Sequence, residues 1–350
     1  MADAFKYHID HHGSLIRPAG LLEARRRHAA GAIDDAELRA TEDAAIAEVV
    51  TMQRRLFLTA VTDGEFRRED VRSAVTDTVG GFRRTDAVDK HGRAQWVVDG
   101  ELKVGGQGLG VAEQTAFVAS QTVIAAKATL PSPAFLAATC YDPAVTGAVY
   151  GSPVELGRAL AGIIRAEIEL LVSRGVRYIQ LNNPRYATYL FARGGQALTL
   201  EEAIAVDSLA VELDSRPEEV RIGLCPTHQA ADTVDKAAAE RLFAELPVDR
   251  WLLPYLTGSE NELDLLRAVP ADRDACLGVV DPAKAELEDI DTVMERMDRA
   301  AELKDIDDLA LSPNAGFSDV AGRAAVGYED QRRKLVLVET LARMCWGNEL

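Results

Sequence analysis

A series of polar clusters holds the residues that could do chemistry, and each cluster follows a short apolar run. His11 and His12 precede Gly13-Ser14, with Arg17 close behind. An imidazole at a strand end can hold or move a proton near neutral pH. Thr62-Asp63-Gly64-Glu65 offers a carboxylate, and Arg67 and Arg68 beside it are guanidinium forks suited to a planar anion. Ser132 sits between two prolines, Asn182-Asn183 precedes another, and Asp281 precedes Pro282. Cys225 at a strand end suits a nucleophile or a contact to a thiol substrate, and its Cys-x-x-His spacing with His228 suits half of a metal site. No third metal ligand is evident, although Glu260 and Glu262 lie on a later strand–helix loop. Each residue also has a plainer reading. A lone cysteine is more often a small buried hydrophobe. Arg67 or Arg68 can pair with Glu69 or Asp70 at the surface for little gain, and Asp281 can cap its own turn. Of His11 and His12, one is expected to point into the site and the other towards the helices.

These clusters need a scaffold that brings strand ends side by side. Asp34 and Glu37 form a capping pattern that opens a helix carrying Ile46, Val49, Val50 and Phe57 at helical spacing. The stretch 58–62 reads as a strand. AQWVVDGELKV reads as two short strands joined by Asp99-Gly100, a hairpin-like insertion near 92–105 placed to reach over the site. Residues 153–173 form a long helix with Leu160, Ile163, Ile164, Ile168 and Leu171 on one face, and Thr199 caps the next helix over Glu202. Strands then fall in VRYIQL, VRIGLC, RWLLPYL, ACLGVV and DLALSP, with helices over 235–245, 260–268, 289–303 and 329–346. Such alternation with short connections argues an α/β fold on a parallel sheet. Without a Gly-x-Gly-x-x-Gly fingerprint, a (β/α)8 TIM barrel is favoured over a dinucleotide-binding fold. Residues 1–350 read as a single domain, with its site at the C-terminal ends of the strands.

Composition narrows the class. Hydrophobic residues make up 47% of the 350 and charged residues 27%, enough for a substantial core. A net charge of −17 repels phosphate backbones, so nucleic acid is not expected as a partner. Cys140, Cys225, Cys276 and Cys345 lack Cys-x-x-Cys spacing and fit reduced thiols in the cytoplasm. The opening MADAFKYHID lacks the order of a signal peptide, and no apolar run has the ~20 residues that cross a membrane. The expected partner is a small-molecule substrate. A homodimer is compatible with a barrel enzyme, although no apolar stripe marks the face.

Taken together, HHGSLIRPAGLLEAR, AVTDGEFRRED, KATLPSPAFL, YIQLNNPRY, IGLCPTH, LGVVDPAKAELED, LALSPNAGF and EDQRRKLVLVETLARMCWG resemble the cobalamin-independent methionine synthase family. The similarity is to single-barrel members that correspond to the catalytic domain of the full-length enzyme. It implies a (β/α)8 barrel of the kind shared with uroporphyrinogen decarboxylase. It also implies a zinc-bound thiol that receives a methyl group from a reduced folate. By the same resemblance Ser14 matches a substrate-carboxylate position and Glu65 an ammonium position. Asn182 and Asn183 stand where the family has Asp and Glu. The metal positions depart further: the family's His-x-Cys is Gly223-Leu224-Cys225 here, its Glu is Pro254 (or the neighbouring Tyr255), and its last Cys is Ala315. Gly, Pro and Ala offer no donor, so zinc is expected to be absent or very weak. The expected activity is methyl or alkyl transfer involving a sulfur-containing or amino-acid-like molecule. A metal-free lyase or hydrolase in the same pocket, and a non-catalytic small-molecule-binding or regulatory protein, are the alternatives.

Overall fold

The computed structural model describes residues 7–89, 92–106, 108–229 and 233–347. Its strands are β1 (Ala60–Val61), β2 (Val79–Val88), β3 (Ala94–Val104), β4 (Ala125–Pro131), β5 (Tyr178–Asn182), β6 (Arg221–Cys225), β7 (Arg250–Pro254), β8 (Asp274–Val280) and β9 (Leu309–Pro313). Seven of them form one sheet in the order β1-β4-β5-β6-β7-β8-β9, and all pairings within it are parallel. The fold is thus α/β on a curled parallel sheet. Beside β9, residues 8–10 run parallel to it: Asp10 N donates to Leu311 O at 2.9 Å and Leu311 N to His8 O at 2.9 Å. On the other side Thr59 N donates to Ile9 O at 3.2 Å, next to β1.

The two-residue period of the strands divides the core. Ile179, Leu181, Ile222, Leu224, Trp251 and Leu253 point outwards and join the large cluster formed with helix residues such as Leu160, Ile164 and Ile168. Ala275, Leu277, Leu309 and Leu311 do the same in a second cluster with Val338 and Leu341. The alternate residues face inwards. Cys225, Leu252, Cys276 and Ala310 form a small apolar group there, while Tyr178 packs with Tyr7 and Ala60.

The inner face also carries charge. Lys127, Asp10 and Arg250 are buried together, with Lys127 Nζ 2.6 Å from Asp10 Oδ1 and Arg250 Nη1 3.7 Å from Asp10 Oδ2. Tyr178 Oη donates to Asp10 Oδ2 at 2.5 Å, and its ring lies 4.5 Å from Lys127 Nζ and stacks on Tyr7 with centroids 4.9 Å apart.

The predicted helices appear with small boundary shifts. Pro153–Ser173 is helical, and Thr199 with Glu202 makes a reciprocal capping box. Two local readings are corrected. Asp99-Gly100 does not turn the chain: β3 is continuous and pairs antiparallel with β2, and the register slips there because Gly81, at φ +98°, brings β2 against the carbonyls of Gly100 and Glu101. The two strands meet instead at Asp89 and Arg93, where Asp89 N donates to Arg93 O at 2.9 Å. Phe57 leaves the apolar face of its helix, since it lies past the C-cap at φ +54° and is 61% exposed.

Candidate active site

At the C-terminal ends of the strands lies a pocket open to solvent. Six residues expected from the sequence line it: His12, Ser14, Glu65, Asn182, Cys225 and His228. The strand-end rule explains the convergence. Asn182 and Cys225 are the last residues of β5 and β6, and they pair in register. Glu65 follows β1, and His12 and Ser14 follow the 8–10 segment.

Glu65 is buried and held at φ +58° by Asp63, whose Oδ1 accepts from its backbone N at 2.8 Å. Thr129 Oγ1 donates to Glu65 Oε1 at 2.8 Å and itself accepts from Arg68 Nη1 at 3.0 Å. Burial raises the Glu65 carboxyl above its ordinary value, although Arg68 and Arg17 pull it down. Gly13 makes this packing feasible: at φ +120°, a Cβ there would lie 2.6 Å from Thr129 Cγ2 and 3.1 Å from Glu65 Oε1. His12 is neutral at ordinary pH, pushed down to about 3 by burial and then by the charges of Lys127 and His228. Ser14 Oγ donates to Asp319 Oδ1 at 3.3 Å, a contact that needs Gly316, whose missing Cβ would lie 1.8 Å from that hydroxyl.

Other expected residues lie elsewhere. His11 turns to the helices, where its Nε2 lies 2.9 Å from Gln53 Oε1. Arg17 is buried and ties its own loop to two others through the carbonyls of Ser318, Glu65 and Arg68. Arg67 pairs with Glu42 at 2.8 Å and with Asp43, away from the pocket. Ser132 caps the helix Pro133–Cys140 through Phe135 N. Asn183 donates to Asp207 Oδ2 at 3.0 Å, in a buried group with Tyr186. Asp281 caps its own turn through Ala283 N and pairs with Lys284 at 3.2 Å. In each case a partner outside the pocket engages the side chain, which residue type alone does not reveal.

The pocket also contains Pro184 and Gly316, which belong to the strand-end motifs, and four residues that sequence reasoning does not place in the site: Asp70, Val71, Arg93 and Asp319. Asp319 follows the Ser-Pro-Asn-Ala-Gly motif after β9, so proximity to that motif was a usable signal. Asp70 was noted only as a surface partner, yet it is buried and clamps Arg72 at 2.5 Å.

Burial pushes the Cys225 thiol up to about 12, and its Sγ lies 3.6 Å from Thr227 O. At neutral pH it is therefore a thiol, not a thiolate. Iodoacetamide at neutral pH should label Cys345, which is less deeply buried, well before Cys225. Peptide mapping that found Cys225 labelled first in the native protein would contradict this environment.

The cobalamin-independent synthase catalytic-domain model matches residues 13–328. The chain belongs to the cobalamin-independent methionine synthase family. It is 28% identical to the Bacillus subtilis protein YxjH over 97% of this chain and 95% of that one. It is 23% identical to the methionine synthase of Sulfolobus acidocaldarius, covering 87% and 84%. Among solved structures, a putative vitamin-B12-independent methionine synthase from Listeria monocytogenes superposes with a TM-score of 0.75 at 24% identity, covering 98% of both chains. A B12-independent methionine synthase from Shewanella gives 0.75 at 19% identity, covering 97% of both.

Zinc is the metal this methionine synthase family implies, and the donor set here does not fit it. At Gly223 a Cβ would meet Leu252 Cδ1 at 3.3 Å and the Tyr178 ring at 3.4 Å, and Tyr178 is pinned by Asp10. A histidine there has no room unless that ring moves. Pro254 carries no donor, and the hydroxyl of Tyr255 is spent on Arg296 O at 2.9 Å. Ala315 also carries none. Among the described residues no three His, Cys, Asp or Glu side chains converge as a metal would require.

Proposed function

We propose that this protein transfers a methyl or other alkyl group to or from a small sulfur-containing or amino-acid-like molecule without a zinc ion, with a reduced folate as the other partner in the transfer. One observation carries the reading: a single strand-end pocket gathers Ser14, Glu65, His12 and Asn182, while of the zinc positions only Cys225 keeps a donor. The Shewanella structure contains selenomethionine, which makes a thioether amino acid the first ligand to try here. We also read residues 8–10 as the eighth stave of a (β/α)8 barrel, supported by their hydrogen bonds to β9 on one side and Thr59 on the other.

Without a metal to stabilise a thiolate, a protein base must take the thiol proton before sulfur can accept an alkyl group. Glu65 suits that task, because its raised carboxyl is a stronger base than a solvated one. Ser14 and Asn182 orient the bound molecule by hydrogen bonding, and neutral His12 completes the wall without adding charge.

Thermal-shift measurements with L-methionine, L-homocysteine and a reduced folate, each in excess chelator, test the proposal. A sulfur amino acid should raise the melting temperature by a few degrees, equally with and without EDTA, as ligand linkage requires. No shift with any of them, or a shift that requires added zinc, would contradict it. A lyase or hydrolase also finds support in Glu65 and His12 lining the same pocket. Mass spectrometry of products separates the two, since transfer leaves an alkylated sulfur and cleavage does not.

A further inference from the structure

The pocket has one cationic side chain among its described lining residues, and it does not come from a strand end. Arg93 is delivered by the turn of the β2–β3 hairpin. Its backbone N donates to Asp89 Oδ1 at 2.9 Å and its Nε to Asp89 Oδ2 at 2.8 Å. Asp89 therefore grips the inner edge of the guanidinium. The two terminal nitrogens make no hydrogen bond among the described residues, and the side chain is 23% exposed. Arg93 borders this pocket and two adjoining cavities.

The hairpin that carries it is anchored. Arg72 Nη2 donates to Ala94 O at 2.8 Å, and Arg72 is itself held by Asp70 at 2.5 Å. Thr146 Oγ1 donates to Val98 O at 2.7 Å, and Leu102 N to Tyr150 Oη at 3.0 Å. Gly92, at φ +74°, lets the turn meet the loop after β9 so closely that a Cβ would fall 1.9 Å from Arg323 Nη1. The remaining charged residues lining the pocket, Glu65, Asp70 and Asp319, are acidic, and the whole chain carries −17. Among the described lining residues Arg93 is the one Lys or Arg side chain that an anion would meet.

We propose that Arg93 is the specificity-determining residue of this pocket, binding the carboxylate of the substrate through the outer fork of its guanidinium. The hairpin then decides which molecules are accepted, favouring those that carry a planar oxyanion at the mouth-facing end. The inference rests on the pocket being the substrate site, but not on sulfur being part of the substrate.

Isothermal titration of the full chain with three probes tests it: methylthiobutanoate, its sulfur-free isostere hexanoate, and methylthiopropylamine. Arg93→Gln should weaken both carboxylates about tenfold or more, with Arg93→Lys in between, because a charge-assisted fork is lost in one and narrowed in the other. The amine should bind wild type and Arg93→Gln alike, which also shows that the pocket still folds. Equal carboxylate binding by wild type and Arg93→Gln would overturn the proposal, as would a wild type that binds the amine and neither carboxylate. If hexanoate binds as tightly as methylthiobutanoate and both depend on Arg93, the anion site stands and the sulfur reading falls.

Discussion

Asp10→Asn is expected to destabilise the protein by about 3–5 kcal/mol, the usual cost of removing one partner from a buried ion pair. Asp10 is fully buried, and its two oxygens satisfy four neighbours. Oδ1 accepts from Lys127 Nζ at 2.6 Å and His11 N at 2.7 Å; Oδ2 accepts from Tyr178 Oη at 2.5 Å and faces Arg250 Nη1 at 3.7 Å. Burial alone would raise this carboxyl, but Lys127 and Arg250 hold it below its ordinary value. An amide in its place leaves Lys127 and Arg250 with less opposing charge, in a site that water does not reach. Chemical denaturation should show the loss, and Asp10→Asn combined with Lys127→Met should recover part of it, since the second change removes one of the stranded charges. Additive losses in that cycle, or a single mutant within about 1 kcal/mol of wild type, would mean the cluster does not support the fold as described.

Acid should weaken the fold through its buried histidines. His11 is lowered from 6.5 to about 4 and His12 to about 3, chiefly because burial disfavours the charged ring. Their contribution is intact above pH 6.5. Below it the unfolded chain binds protons that the folded chain refuses, so stability falls with pH until the folded values are reached. At pH 5 each histidine should account for about 2 kcal/mol of loss relative to neutral pH. Asp207, raised to about 6, and Glu65, also raised, act in the opposite sense and blunt the total. The difference between variants isolates the histidine effect. The urea midpoint of His11→Gln should fall less between pH 7 and pH 5 than that of wild type, whatever its absolute value. Parallel midpoints would show that His11 is not held neutral.

The parts of this molecule set by local physics were legible in the sequence. The helix Pro153–Ser173 and the Thr199 capping box depend on periodicity and end chemistry within a few residues. The rule that chemistry collects at strand ends likewise brought His12, Ser14, Glu65, Asn182, Cys225 and His228 to one pocket. What depends on distant partners was not legible. Arg17 and Arg67 look like anion binders in sequence, and only packing shows their forks committed to carbonyls and to Glu42 and Asp43. Lys127 and Tyr178 meet Asp10 from 117 and 168 residues away, a pairing that no local pattern encodes. Arg93 reaches the pocket from the end of the β2–β3 hairpin, and β3 runs on through Asp99-Gly100 with a register slip opposite Gly81 where the sequence suggested a turn.

The central claim is that this family member handles its substrate with a pocket that zinc does not enter, and metal stoichiometry tests it most directly. The protein should be incubated with excess zinc, dialysed, and assayed by elemental analysis alongside Cys225→Ser. Fewer than about one zinc per two chains is expected, unchanged by the substitution, because one thiol without further ligands does not retain the ion. About one zinc per chain, lost when Cys225 is replaced, would contradict it.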